Sequence, residues 1–214
     1  MKTKFIFCLE LLLILIGAKY GLALDVLDKM QQKYEQINSF ATNFYQTLTN
    51  AATREQDLRK GKIYYKKPGL VLWQVLAPEK EKLILGENIV WDYFPEENIA
   101  YKYSRKQILT SKTMLKFISG KANIKEDFIP EFQGEQKDGL KFKLVPKKPE
   151  PNLVLAYIWV DKKSFLLNRI LLIDFFGNGN ELSLTNTRIN IPLKNKLFYF
   201  HPNKGVEIQD NSKK

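Results

Sequence analysis

The sequence predicts a mainly β protein with a few α-helices, an antiparallel barrel or curved sheet of roughly ten or eleven strands. Three observations carry this. The run Gly61-Lys62-Ile63-Tyr64-Tyr65-Lys66-Lys67-Pro68-Gly69-Leu70-Val71-Leu72-Trp73 sets two aromatic and β-branched segments around a Lys-Pro-Gly turn. Turn residues then recur about every 8–12 positions, the spacing of a meander. Helical periodicity is confined to short stretches near residues 25 and 111.

The first 23 residues read as a signal peptide. Lys2 and Lys4 give a positive start, Phe5 to Ile16 an apolar stretch too short for a comfortable span, and Gly21-Leu22-Ala23 the small residues of a cleavage site. Glu10 is unusual inside that stretch. Cleavage after Ala23 leaves residues 24–214 as one domain. The only cysteine, Cys8, falls in the removed segment, so the mature chain is expected to carry no disulfide and no lipid anchor. Removal takes Lys2, Lys4, Lys19 and Glu10, lowering the +11 formal charge by two. The remaining excess is dispersed, which suits a solvated surface; an exported protein is not expected to bind nucleic acid.

Along the mature chain, Asp25 is a candidate N-cap, and Val26, Met30, Tyr34 and Ile37 recur at helical spacing. Phe40, Thr42, Phe44, Gln46 and Leu48 then share one face of a strand. In the hairpin that follows, Pro68 pre-sets the first corner and Gly69 supplies positive φ at the second, a type II turn. Lys82–Leu85, Ile89–Phe94 and Ile99–Tyr103 continue the meander. Ser111 is the candidate cap of a short helix carrying Met114, Leu115, Phe117 and Ile118, stopped by Gly120. Residues 121–129 fit either helix or loop. Strands resume at Phe128–Gln133, Leu140–Val145, Val154–Val160, Leu166–Asp174 and Glu181–Asn190, with Phe198-Tyr199-Phe200 the last candidate. Pro146 to Pro151 reads as a stiff loop and Asp210 to Lys214 as a frayed tail.

The large apolar residues of this sheet need cover. Ile63, Tyr65, Val71, Trp73, Leu83, Leu85, Trp91 and Tyr93 serve either an ordinary packed core or the wall of a cavity closed by the helices. Catalysis finds little footing. The mature chain holds one histidine, His201, no cysteine, no Gly-x-Ser-x-Gly and no His-Glu-x-x-His. Asp92, Glu96 and Glu97 read as a solvated turn. No enzyme activity, metal site or cofactor is expected.

With those residues in view, the mature chain resembles the outer-membrane lipoprotein carrier family, LolA. The resemblance rests on Phe40-x3-Phe44-x-Gln46, on Gly61-x-Ile63 through Lys67-Pro68-Gly69 to Trp73, and on Val90-Trp91-x-Tyr93-x-Pro95. Asp174-x-x-Gly177-Asn178 and Phe198-x-Phe200-x-Pro202-x-x-Gly205-Val206-x-Ile208 complete it. It implies a half-barrel with a helical lid over an apolar cavity. It also implies a monomeric periplasmic chaperone that binds the acyl chains of lipoproteins. Such a carrier takes them from an inner-membrane ATP-driven release complex to an outer-membrane receptor. Tyr65, Val71, Trp73, Leu83, Leu85, Trp91 and Tyr93 become candidate cavity wall, Met114, Leu115, Phe117 and Ile118 candidate lid, and Lys67 the candidate latch. The family often has arginine at the positions of Lys67 and Leu72. These departures leave room for a carrier of another lipid, glycolipid or phospholipid, or for a lipoprotein sensor.

Overall fold

The computed structural model describes residues 25–106 and 113–212. The expected signal peptide and the Ser111 cap lie outside the described residues. Helix α1 spans 25–36 and presents Leu27, Met30 and Tyr34 inward, as the 3.6-residue period requires, with Ile37 buried just past its end. Strands follow as β1 (Ser39–Thr49), β2 (Gln56–Lys66), β3 (Leu70–Ala77), β4 (Glu81–Leu85), β5 (Ile89–Phe94) and β6 (Ile99–Ser104). Helices α2 (Thr113–Ile118) and α3 (Ile124–Asp127) come next. Residues 121–129 thus resolve into a short helix, capped by the Asn123 side chain, running into a strand. The chain ends with β7 (Phe128–Gln136), β8 (Gly139–Pro146), β9 (Leu155–Val160), β10 (Leu167–Ile173), β11 (Gly179–Ile189) and β12 (Glu207–Asp210).

These twelve strands form one sheet in the order β12-β6-β5-β4-β3-β2-β1-β11-β10-β9-β8-β7. It consists of two meanders joined where β1 pairs antiparallel with β11 (Phe44 opposite Leu184). The end strands β12 and β7 do not pair with each other, so the barrel stays open as expected. Three details correct the sequence reading. Phe198 ends a 3-10 turn (Asn195–Phe198) rather than starting a strand. The last strand is instead β12, which pairs parallel with β6 and places Asp210 on Lys102 at 2.8 Å, inside the sheet rather than in a tail. Gly69 N donates to Lys66 O at 3.0 Å, so Gly69 closes the turn with φ +142° instead of supplying its second corner, and the hairpin turn is not type II. The hairpin register is as expected, with Ile63 opposite Trp73 and Tyr65 opposite Val71.

Pairing partners share a face, and this sorts the apolar residues into two layers. The inner layer includes Phe44, Ile63, Trp73, Leu85, Ile158 and Leu182, with α1 and α2 packed onto it. The outer layer is a smaller patch of Leu70, Leu72, Ile84 and Phe198, with Trp91 and Phe200 against it. Among the described residues no helix is long and apolar enough to cross a membrane.

Helix α1 is tied to both halves of the sheet. The buried Tyr34 hydroxyl accepts a hydrogen bond from Leu167 N at 3.2 Å. Burial pushes the Tyr34 phenol up to about 12, the bond from Leu167 opposing it only partly. The unfolded chain ionises this group near 10, so folding stability is intact below pH 10 and falls as pH rises towards 12. Tyr34→Phe is expected to lose about 1–2 kcal/mol at pH 8, because Leu167 N keeps no partner, and to flatten that alkaline fall. Urea unfolding at pH 8 and pH 11 checks both; an unchanged alkaline slope would assign it to other groups.

Candidate functional site

Between the inner sheet face and α2 lies a cavity of about 750 Å³. Its apolar floor is Trp73, Val75 and Leu83 from the first meander and Leu172 from the second, roofed by Met114 and Leu115. Strand periodicity explains the floor. Trp73 and Val75 are two apart on β3, and Leu83 sits opposite Trp73 on β4. The wall is stiffened by Phe44, whose ring lies 4.9 Å from that of Trp73.

The mouth is polar. Arg59 joins Asp57 at 2.7 Å and Glu81 at 3.2 Å across the edge of β2 to β4. Gln46 donates to Asn180 Oδ1 at 2.9 Å across the β1–β11 joint. Asp174 and Asn178 complete the rim. A pocket of this size that joins an apolar cluster to a polar lining suits an amphipathic ligand, its apolar part on the cluster and its polar part towards water. Among the described residues no group of three His, Cys, Asp or Glu side chains gathers to hold a metal.

The expected wall residues separate into three groups. Trp73 and Leu83 line the cavity. Tyr65, Val71 and Leu85 share the inner face but are buried in the packed core, Tyr65 stacked on Phe40 at 5.2 Å. Trp91 and Tyr93 lie on the opposite face, their rings 5.2 and 4.9 Å from Phe200. The register gives the reason. Leu85 pairs with Val90, so Val90 turns inward and its neighbour Trp91 outward, opposite Ile84. Val75 and Leu172 are wall residues the sequence reading missed. Val75 was visible as the next inward position after Trp73; Leu172 needed the β1–β11 joint.

The lid residues also divide. Met114 and Leu115 face the large cavity. Phe117 faces a second cavity of about 330 Å³ and packs on Phe128 at 5.5 Å. Thr113 borders both, so α2 is a partition between them. Ile118 is buried in the core.

Lys67, the expected latch, donates its ammonium to the Glu35 carbonyl of α1, not to α2. A second cation makes a larger set of contacts. Arg105, one residue beyond β6, donates to the carbonyls of Gly69, at 2.8 Å, and Gly86. It thereby pins the β2–β3 and β4–β5 turns together. Burial holds its pKa below the usual arginine value, with Tyr65 opposing. A side chain on Gly69 would come within 2.6 Å of the guanidinium, so glycine is needed there both for its φ and for this contact.

A family model described as "Outer membrane lipoprotein carrier protein LolA" matches residues 35–201. The chain belongs to the LolA family. The match begins inside α1 and ends just past the Trp91–Phe200 contact, so it takes in every residue of the cavity wall named above. The outer-membrane lipoprotein carrier protein of Methylococcus capsulatus is 24% identical over 181 residues, 84% of this chain and 85% of that protein. That of Haemophilus influenzae is 25% identical over 202 residues, 94% and 95%. A crystal structure of an uncharacterized conserved protein from Thermus thermophilus superposes with a TM-score of 0.57 at 14% identity, covering 88% of this LolA-family chain and 99% of that one. At that identity the likeness speaks for the fold.

Proposed function

We propose that this LolA-family protein is a periplasmic chaperone that shelters the acyl chains of lipoproteins in the 750 Å³ cavity and carries them between membranes. The observation that carries the reading is the pairing of an apolar floor and roof with a polar rim. Burying acyl CH₂ groups gains about 0.8 kcal/mol each, so a chain of roughly 16 carbons stands about 12 kcal/mol from water. Free passage through an aqueous space would be far too slow. A carrier must shelter the chains and still release them. A cavity roofed by one short helix does both by changing exposed area, without covalent chemistry. On this reading the protein is a binding protein and not an enzyme. The names of its relatives, outer-membrane lipoprotein carrier proteins, support a lipoprotein cargo; on this reading its partners are an inner-membrane ATP-driven release complex and an outer-membrane receptor.

Native mass spectrometry with lipid extraction, on protein from its own periplasm, tests the cargo. Co-purified acylated lipoprotein is the expected result. A free glycolipid or phospholipid would move the function to another lipid pathway. Empty protein that also refuses added lipoprotein would remove the reading.

A paired substitution tests the roof. Met114→Glu turns a carboxylate into the cavity and is expected to weaken binding of a fluorescent acyl probe at least tenfold. Lys116→Glu, on the side of the same helix that borders the small cavity, is expected to change it less than twofold. Equal effects from both would show that charge on α2, not the cavity roof, governs binding.

A further inference from the structure

Phe175 and Phe176 are 72% and 78% exposed, the two most exposed of the large hydrophobic residues among those described. They form the tip of the β10–β11 hairpin, with rings 5.6 Å apart in edge-to-face contact. Their neighbours Asp174, Asn178 and Gly179 line the rim of the large cavity, so the tip stands at its mouth.

We propose that this tip is a membrane wedge that seats the cavity mouth against an anionic phospholipid surface. Four features carry this. The backbone of the tip is satisfied from within. Phe175 N donates to Pro151 O at 2.9 Å and Phe176 N to Asp174 Oδ1 at 2.9 Å. Gly177 N donates to Asp174 O at 3.0 Å and Asn178 N to Asp174 Oδ1 at 2.8 Å. Entry into an apolar phase requires backbone donors to be paired in this way. The tip is also braced, because Asn178 Oδ1 accepts from Ala51 N at 3.0 Å and ties it to the β1–β2 turn.

Size decides between lipid and protein. Two phenylalanines bury about 500 Å² at most, well short of the roughly 800 Å² per partner of a stable protein interface. A lipid surface accepts an isolated wedge. Charge then decides which lipid. Exposed Lys147 and Lys148 lie with Glu150 in the loop whose Pro151 holds Phe175, and exposed Arg54 lies beside Glu55 at the turn tied to Asn178, so cations outnumber carboxylates around the tip, in keeping with the +11 formal charge of the whole sequence. The one carboxylate at the tip, Asp174, is occupied by two backbone donors and by Asn178 Nδ2 at 2.9 Å.

Vesicle flotation of the cargo-free mature protein tests the wedge separately from acyl binding. Vesicles of phosphatidylethanolamine with phosphatidylglycerol are compared with phosphatidylcholine alone. Wild type is expected to bind the anionic vesicles more tightly, and less so at high salt. The double variant Phe175→Ser, Phe176→Ser is expected to bind at least about tenfold more weakly to both. A Phe176→Trp variant is expected to add a blue-shifted emission component that brominated lipid quenches. Failure of wild type to bind anionic vesicles, or a double variant that binds as well as wild type, would overturn the proposal. The cavity reading would stand in either case if the acyl probe still binds.

Discussion

Gly61→Ala is expected to destabilise the protein by about 3 kcal/mol or more. A Cβ on Gly61 would lie 1.9 Å from the Gln74 carbonyl oxygen and 2.8 Å from Phe44 Cε1. The first contact is with the backbone of the paired strand, which cannot swing aside as a side chain can. The second is with the ring that stiffens the Trp73 wall. The alternatives are to break the β2–β3 ladder at its irregular step between Lys60 and Gly61, or to drive Phe44 into the core. At roughly 2–4 °C per kcal/mol for a chain of this size, the melting temperature should fall by about 6–12 °C. Because the displaced ring rests on Trp73, acyl-probe binding should weaken as well. Thermal unfolding of the alanine variant settles the first point; a shift under about 2 °C would mean the strands part here at little cost.

Arg105→Ala is expected to lose about 2–3 kcal/mol, against about 1 kcal/mol or less for Lys67→Ala. The guanidinium holds two turn carbonyls, those of Gly69 and Gly86, in a part-buried position. Lys67 makes a single exposed contact to the Glu35 carbonyl. Arg105→Lys should recover only part of the loss, because an ammonium on a flexible stem does not span both carbonyls as the planar fork does. Since Arg105 opens the segment leading to α2, its loss should also speed acyl-probe release more than the loss of Lys67. Urea unfolding and probe release rates of the three variants measure this. Equal stability of the Arg105→Ala and Lys67→Ala variants would return the latch role to Lys67.

Much of the fold is legible where neighbours in sequence are neighbours in space. The meander spacing, the Ile63–Trp73 register and the inward stripe of α1 all rest on local periods of two and 3.6 residues. The face of β5 was not legible this way. A period of two says that Val90 and Trp91 point apart, not which of them meets the helices. The size of tryptophan suggested the core, whereas the pairing of Leu85 with Val90 sends Trp91 outward to Phe200. The run Phe198-Tyr199-Phe200 has strand composition, yet it covers that outer patch as a 3-10 turn and an extended segment. Arg105 escaped notice because it binds carbonyls of turns 36 and 19 residues away, and a carbonyl leaves no signature in sequence. Leu172 reaches the cavity only through the β1–β11 joint, which no local pattern announces.

That joint also sets a timetable. β1 is made early and finds its partner β2 at once, but its other edge waits for β11, which begins at Gly179. Until then the first meander presents an unpaired central strand and a bare inner face. Long-range pairings of this kind close slowly. On the proposed periplasmic route, the chain would gain from such a delay during its passage through the inner membrane, since the step that completes the cavity cannot begin until nearly all of the polypeptide has arrived.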